Sequence, residues 1–171
     1  MTSFDEEKRE MFRGEITDVL GRVLDPGLEP YIHSINQNPD IMTIQSCSGM
    51  PFKDHAGQGH PYVELQFRNH GAKAHYQSKL RAAGYEIMDF SGEGRLLLYI
   101  QIPNTTTMGI KELLNADPVE RAKTLRPYCK SEKEVQRIIK GQHDDALNGR
   151  LASPQECRQF WRTVTTILTS N

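Results

Sequence analysis

Pro61-Tyr62-Val63-Glu64-Leu65-Gln66-Phe67-Arg68-Asn69 is the stretch on which the architecture turns. Val63, Leu65 and Phe67 alternate with polar residues, the period of a strand buried on one face. Asn69 then offers an N-cap for a helix over 70–83, which Gly84 closes. A strand handed straight to a helix is the start of a crossover unit. Tyr85 to Phe90 alternates weakly as the next strand, and Ser91-Gly92-Glu93-Gly94 reads as a hairpin turn. Leu96 to Ile102 is the strongest strand pattern of the chain, apolar on both faces and therefore expected to be central. A crossover helix makes its flanking strands parallel where they share a sheet. Residues 1–103 are thus expected to be α+β: a small mixed β-sheet with covering helices.

Upstream, Ser3 with Glu6 forms a capping box. Phe12, Ile16, Val19, Leu20 and Val23 recur at helical spacing until Pro26-Gly27. A shorter helix over about 29–36 offers Ile32 and Ile35, and a strand follows over 41–47. From Pro103 onward every pattern is helical, with starts at Thr107, Asp117 before Pro118, Ser131 with Glu134, and Ser153 with Glu156. The last helix carries Phe160, Trp161, Val164 and Leu168. These helices have too little apolar surface to stand alone. The division expected is an α+β domain over 1–103 and a helical C-terminal extension over 104–171, packed on that domain or on a partner chain as a homodimer.

In 171 residues, 22 acidic and 21 basic side chains nearly cancel, which argues against a histone-like electrostatic binder of nucleic acid. No apolar run reaches the roughly 18 residues of a membrane span. The start Met-Thr-Ser-Phe-Asp-Glu-Glu-Lys is too polar for a signal peptide, so a cytoplasmic location is expected. Cys47, Cys129 and Cys157 contain no CxxC pair, and neither a disulfide framework nor a zinc knuckle is indicated.

The chemistry-bearing stretch is Ile41-Met42-Thr43-Ile44-Gln45-Ser46-Cys47-Ser48-Gly49. A strand runs into four small residues, and the glycine lets the backbone turn sharply and approach a ligand. A loop with Asp54, His55 and His60 follows. Ordinary turns are built from the same residues, with the serines as caps and the histidines in solvent. Two further chemistries are open: Cys47 as a thiol nucleophile with His55 or His60 as its base, and a metal held by Asp54, His55 and His60. Gly57-Gln58-Gly59 and Gly92-Glu93-Gly94 lack the third glycine and the setting of a dinucleotide fingerprint.

The chain resembles the tRNA wybutosine-synthesising methyltransferases. The resemblance rests on an acidic opening helix (Phe4-Asp5-Glu6-Glu7-Lys8) and the short helix Leu28-Glu29-Pro30-Tyr31-Ile32-His33-Ser34-Ile35-Asn36. It continues through the strand closing in Ser46-Cys47-Ser48-Gly49, the strand Pro61 to Phe67 and the helix Ala72 to Gly84, covering residues 4–102. Met50 stands where the family has arginine, and only residues 50–60 separate the motif from the Pro-aromatic strand, where the family has several dozen.

What the resemblance implies is methyl transfer from S-adenosyl-L-methionine to a ring nitrogen of the modified guanosine beside the anticodon of phenylalanine tRNA. Such a transfer needs in-line alignment and, where a proton must leave, a nearby base. Asp54, His55 and His60 are the candidate bases. Ser46, Ser48 and Gly49 are the candidate cofactor contacts, in a site of non-Rossmann kind. For tRNA phosphates the candidates are Lys73, Lys79 and Arg81, read as outward on the 70–83 helix, and a stretch over 118–142 with seven basic residues against three acidic ones. The alternative is a non-catalytic ligand-binding or protein-interaction module on the same scaffold.

Overall fold

The computed structural model describes residues 3–11, 24–25, 27–50, 59–106 and 117–170. Helices α1 (Phe4–Met11) and α2 (Glu29–Gln37) lead into strands β1 (Ile41–Cys47) and β2 (Tyr62–Phe67). Helix α3 (His70–Ala82), strands β3 (Glu86–Asp89) and β4 (Leu97–Gln101), and helices α4 (Pro118–Leu125), α5 (Glu132–Asn148) and α6 (Pro154–Thr169) complete the order. The fold is α+β. The strands lie in the order β1-β2-β4-β3, and every neighbouring pair is antiparallel. The crossover through α3 does leave β2 and β3 running the same way, but the hairpin returns β4 between them. That insertion turns the expected mixed sheet into one whose hydrogen-bonded pairs are all antiparallel.

Local chemistry explains the boundaries. Ser3 and Glu6 exchange hydrogen bonds at the start of α1, with Glu6 Oε2 accepting from the Ser3 N–H at 2.9 Å. The stripe from Phe12 to Val23, like Thr107, lies outside the described residues. Asn69 caps α3 by accepting from the Ala72 N–H, and Asp117 caps α4 by accepting from Val119. At the β3–β4 turn Glu93 and Gly94 both have positive φ, 52° and 82°, the backbone of a tight hairpin. Ser153 and Glu156 form a complete capping box on α6, with Arg150 bidentate on Glu156.

One face of the sheet carries Ile41, Val63, Leu65, Phe67, Leu98 and Ile100. It is covered by Ile32 and Ile35 of α2, Tyr76 and Leu80 of α3, and Phe160, Trp161, Val164 and Leu168 of α6. Phe160 and Trp161 are spent on this core and do not supply a dimer contact, at 1% and 2% exposed. Asn38 ties three layers together, donating to Tyr76 Oη at 2.6 Å and to the Leu168 carbonyl at 2.7 Å. Asn36 clamps α2 to β1 through the side chain and backbone of Thr43.

One reading of orientation is refined and one is corrected. β4 is central, between β2 and β3, as its pattern implies; its core face carries Leu98 and Ile100, and alternation sends Leu97, Tyr99 and Gln101 to the other. Lys73 is turned inward: its ammonium is ion-paired with Asp89 and donates to Ser91 at 2.7 Å, pinning α3 to β3. No helix among the described residues is long and apolar enough to cross a membrane.

Candidate functional site

Beyond Cys47 the chain bends sharply. The Ser48 N–H donates to Asp25 Oδ2 at 2.6 Å, and its hydroxyl accepts from the Met50 N–H at 3.1 Å. Gly49 has φ +72°, and a Cβ there would stand 2.8 Å from both Cys157 Sγ and the Pro61 nitrogen. Only glycine fits. The Gly49 carbonyl accepts from the Gly59 N–H at 3.0 Å, and the Gly59 carbonyl accepts from the Ala152 N–H at 2.5 Å. A Cβ on Gly59 would meet Leu151 at 2.7 Å. These contacts staple the bend, the approach to β2 and the approach to α6 to one another.

His60 follows directly and is buried. Its Nδ1 lies 3.0 Å from Thr105 Oγ1 and its Nε2 lies 2.9 Å from Tyr99 Oη. The Thr105 hydroxyl gives its one proton to the Ile102 carbonyl at 2.7 Å, so toward His60 it accepts. Nδ1 therefore carries the imidazole proton, and Nε2 accepts from the Tyr99 hydroxyl. Burial holds the imidazole below its ordinary pKa of 6.5, with Glu86 pulling weakly the other way. Burial also raises the Tyr99 phenol. The relay is thus neutral near pH 7, with the Tyr99 ring stacked on Tyr62 at 4.9 Å between centroids.

His60 and Tyr99 line a cleft of about 370 Å³ with Glu86, Gln101, Thr105 and Thr106, and with Met88, Asn104, Asn148 and Gly149. The side chains come from the outer face of β3 and β4 and from a bridge in which segment 104–106 pairs with Arg150. Asn104 takes a positive φ of 58° to make that turn. Glu86 accepts from Gln101 at 2.9 Å. Among the described lining residues Glu86 is the one carboxylate, and none is lysine or arginine. A phosphate or carboxylate finds no cation there; a cation or a neutral N–H donor finds acceptors. Thr106, 3% exposed, leaves its Oγ1 without a hydrogen-bond partner in this wall.

Of the expected site residues, His60 lines the cleft; Asp54 and His55 lie outside the described residues. Ser46, opposite Val63 in the register, belongs to the core-side row of the sheet. Ser48 and Gly49 are committed to the bend and do not line this cleft. Burial pushes the Cys47 thiol up to about 12, the opposite of an activated nucleophile. Both nitrogens of His60 are engaged within the protein, and no group of potential metal ligands occurs among the described residues. Lys79 is half-buried over the Tyr76 ring and Arg81 is exposed, while Lys73 is committed to Asp89 and Ser91.

No family model matches the chain, and no curated protein does. Among solved structures, the crystal structure of a hypothetical protein from Aeropyrum pernix is similar, at 12% identity and a TM-score of 0.37, over 85% of this chain and 100% of that chain. A likeness that loose carries no functional weight.

Proposed function

We propose that the protein is a methyltransferase resembling the wybutosine-synthesising enzymes, using S-adenosylmethionine and acting on a ring nitrogen of a modified guanine in tRNA. The observation that carries this reading is the hydrogen bond between Gly49 and Gly59. It holds the bend of the Ser-x-Ser-Gly stretch against the residue before His60, and so beside a cleft of ligand size. The chemistry of the lining agrees. A sulfonium cation suits an acceptor-rich cleft whose described lining has one carboxylate, and the Thr106 hydroxyl, buried in the wall, has no partner within the protein. S-adenosylmethionine supplies the electrophilic methyl group when bound.

In this reading Glu86 accepts the proton released from the target nitrogen, and His60 orients Tyr99 through its fixed tautomer. Asp54 and His55 remain candidate bases from the sequence. Arg81 and Lys79 are the α3 cations left for tRNA phosphates. Calorimetric titration with S-adenosylhomocysteine tests the proposal. Saturable heat is expected, and Thr106→Val should weaken binding about fivefold, near 1 kcal/mol, by removing one hydrogen bond. No heat at millimolar ligand would reject methyl transfer. The alternative, a non-catalytic binding module on the same scaffold, is favoured by Met50 in place of arginine and by the structural use of Ser48 and Gly49.

A further inference from the structure

A second cavity, of about 420 Å³, lies between α1, the end of β2 and the β3–β4 turn. Its lining includes Gln66, which is 8% exposed and whose Oε1 has no hydrogen-bond partner among the described residues. The register explains why. Gln66 is flanked across the sheet by Met42 on β1 and Leu97 on β4, neither of which can answer an amide. A buried amide group left unmet is costly, and native folds leave few of them.

Other lining residues narrow the occupant. Phe4 supplies an aromatic wall, with the Arg68 guanidinium 5.1 Å from its ring centroid. Arg68 is itself held by Asp5 and Asp40, so it is not the cation offered to a ligand. Arg95, half-exposed, has a carboxylate oxygen of Glu7 3.9 Å away and keeps part of its guanidinium in solvent. With Glu7 and Glu93 against Arg68 and Arg95, the lining is close to neutral and does not suit a polyphosphate.

We propose that this cavity binds an adenine ring, edge-on to the Gln66 carboxamide and against Phe4, with Arg95 at the mouth for a ribose hydroxyl or a single phosphate. A carboxamide presents one donor group and one acceptor, the pattern complemented by adenine's amino group and an adjacent ring nitrogen. A flat purine against an aromatic side chain is the usual way a protein holds an unpaired base. The adenine comes either from a sulfonium cofactor or from a nucleotide, and the two sources are separable. The inference does not rest on methyl transfer, since a nucleotide alone can satisfy it.

The test is a titration of the ¹⁵N-labelled full chain, reading the Gln66 side-chain amide signal, identified by its loss in Gln66→Leu. Millimolar adenosine monophosphate, S-adenosylhomocysteine and ribose 5-phosphate are added separately. A saturable shift with either adenine compound, absent with ribose 5-phosphate, is expected. Measured by calorimetry on both proteins, Gln66→Leu should raise the dissociation constant about tenfold or more, without lowering the unfolding temperature. A shift by S-adenosylhomocysteine assigns the adenine to the cofactor; a shift by the monophosphate alone assigns it to a nucleotide. The proposal is overturned if neither adenine compound moves the signal, if ribose 5-phosphate moves it equally, or if Gln66→Leu binds as tightly as the parent. S-adenosylhomocysteine that perturbs Tyr99 and Glu86 while neither adenine compound moves Gln66 would sustain the methyl-transfer reading and overturn this one.

Discussion

The two ends of the sheet's outer face treat their buried polar groups differently. Toward His60, two cross-strand rows answer themselves: Gln45 donates to Glu64 at 2.5 Å, and Gln101 donates to Glu86 at 2.9 Å. Toward α1 the row is Met42–Gln66–Leu97, and the amide in its middle has apolar neighbours on both sides. Apart from a register shift between Thr43 and Gln45, the backbone ladder continues through both places. Whether a buried polar side chain is satisfied is decided by what the register sets beside it, and an unanswered group next to a cavity points to something from outside the chain.

The sharpest way to break that comparison is to remove one group from each end. His60→Leu strips the acceptor from the Tyr99 hydroxyl and the donor from Thr105, and should cost roughly 2–4 kcal/mol in urea unfolding. Gln66→Leu, removing a group with no partner to lose, should change stability by about 1 kcal/mol or less and in the favourable direction. Equal costs at the two sites would erase the distinction.

A gentler probe is pH. His60 is held neutral in the fold and its folded pKa lies below the unfolded 6.5. The unfolded chain therefore takes up the proton first, and stability is full above about 6.5 and falls as the pH drops toward the folded value. The urea midpoint should be lower at about pH 5.5 than at about pH 7.5, and His60→Gln should flatten that slope. A slope unchanged by the substitution would mean another group carries it.

The smallest effect belongs to the Lys73–Asp89 pair beyond the cleft. The Lys73 ammonium first, and then Ser91, hold the Asp89 carboxyl at about 2. Its stabilisation is present above the ordinary carboxylate value of 3.8 and is lost as pH falls toward 2. Lys73→Met should cost about 0.5–1 kcal/mol at neutral pH and shrink the loss of stability between pH 4 and 2. Acid titrations of the two proteins that superimpose would assign Lys73 no such role.

How much of this was legible in the chain depended on the range of the interaction. Asn69, Ser153 with Glu156 and the turn at Ser91 to Gly94 act within three or four residues, so their motifs sufficed. Lys73 was misread because its partner is sixteen residues away on a strand. The leucines at 96–98 masked the alternation that sends Tyr99 and Gln101 outward, and with them the cleft. His60 was visible as a histidine just before a strand. Glu86, Tyr99, Thr105 and Thr106 were not singled out, because only the register of β3 and β4 and the bridge to Arg150 gather them.

That bridge, with the Gly59–Ala152 hydrogen bond, has a consequence for how the molecule comes into being. A nascent chain emerging from the ribosome carries its four strands before it owns the residues that complete the cleft wall or the last helix, which adds Phe160, Trp161, Val164 and Leu168 to the core. Until residue 168 has been added, Val63 and Leu65 lack part of their cover, and the intermediate is a sticky one suited to chaperone capture. Closure of the loops at 59 and 105 onto 150–152 is then a late event of high sequence separation, one that should govern the speed of maturation more than its final stability.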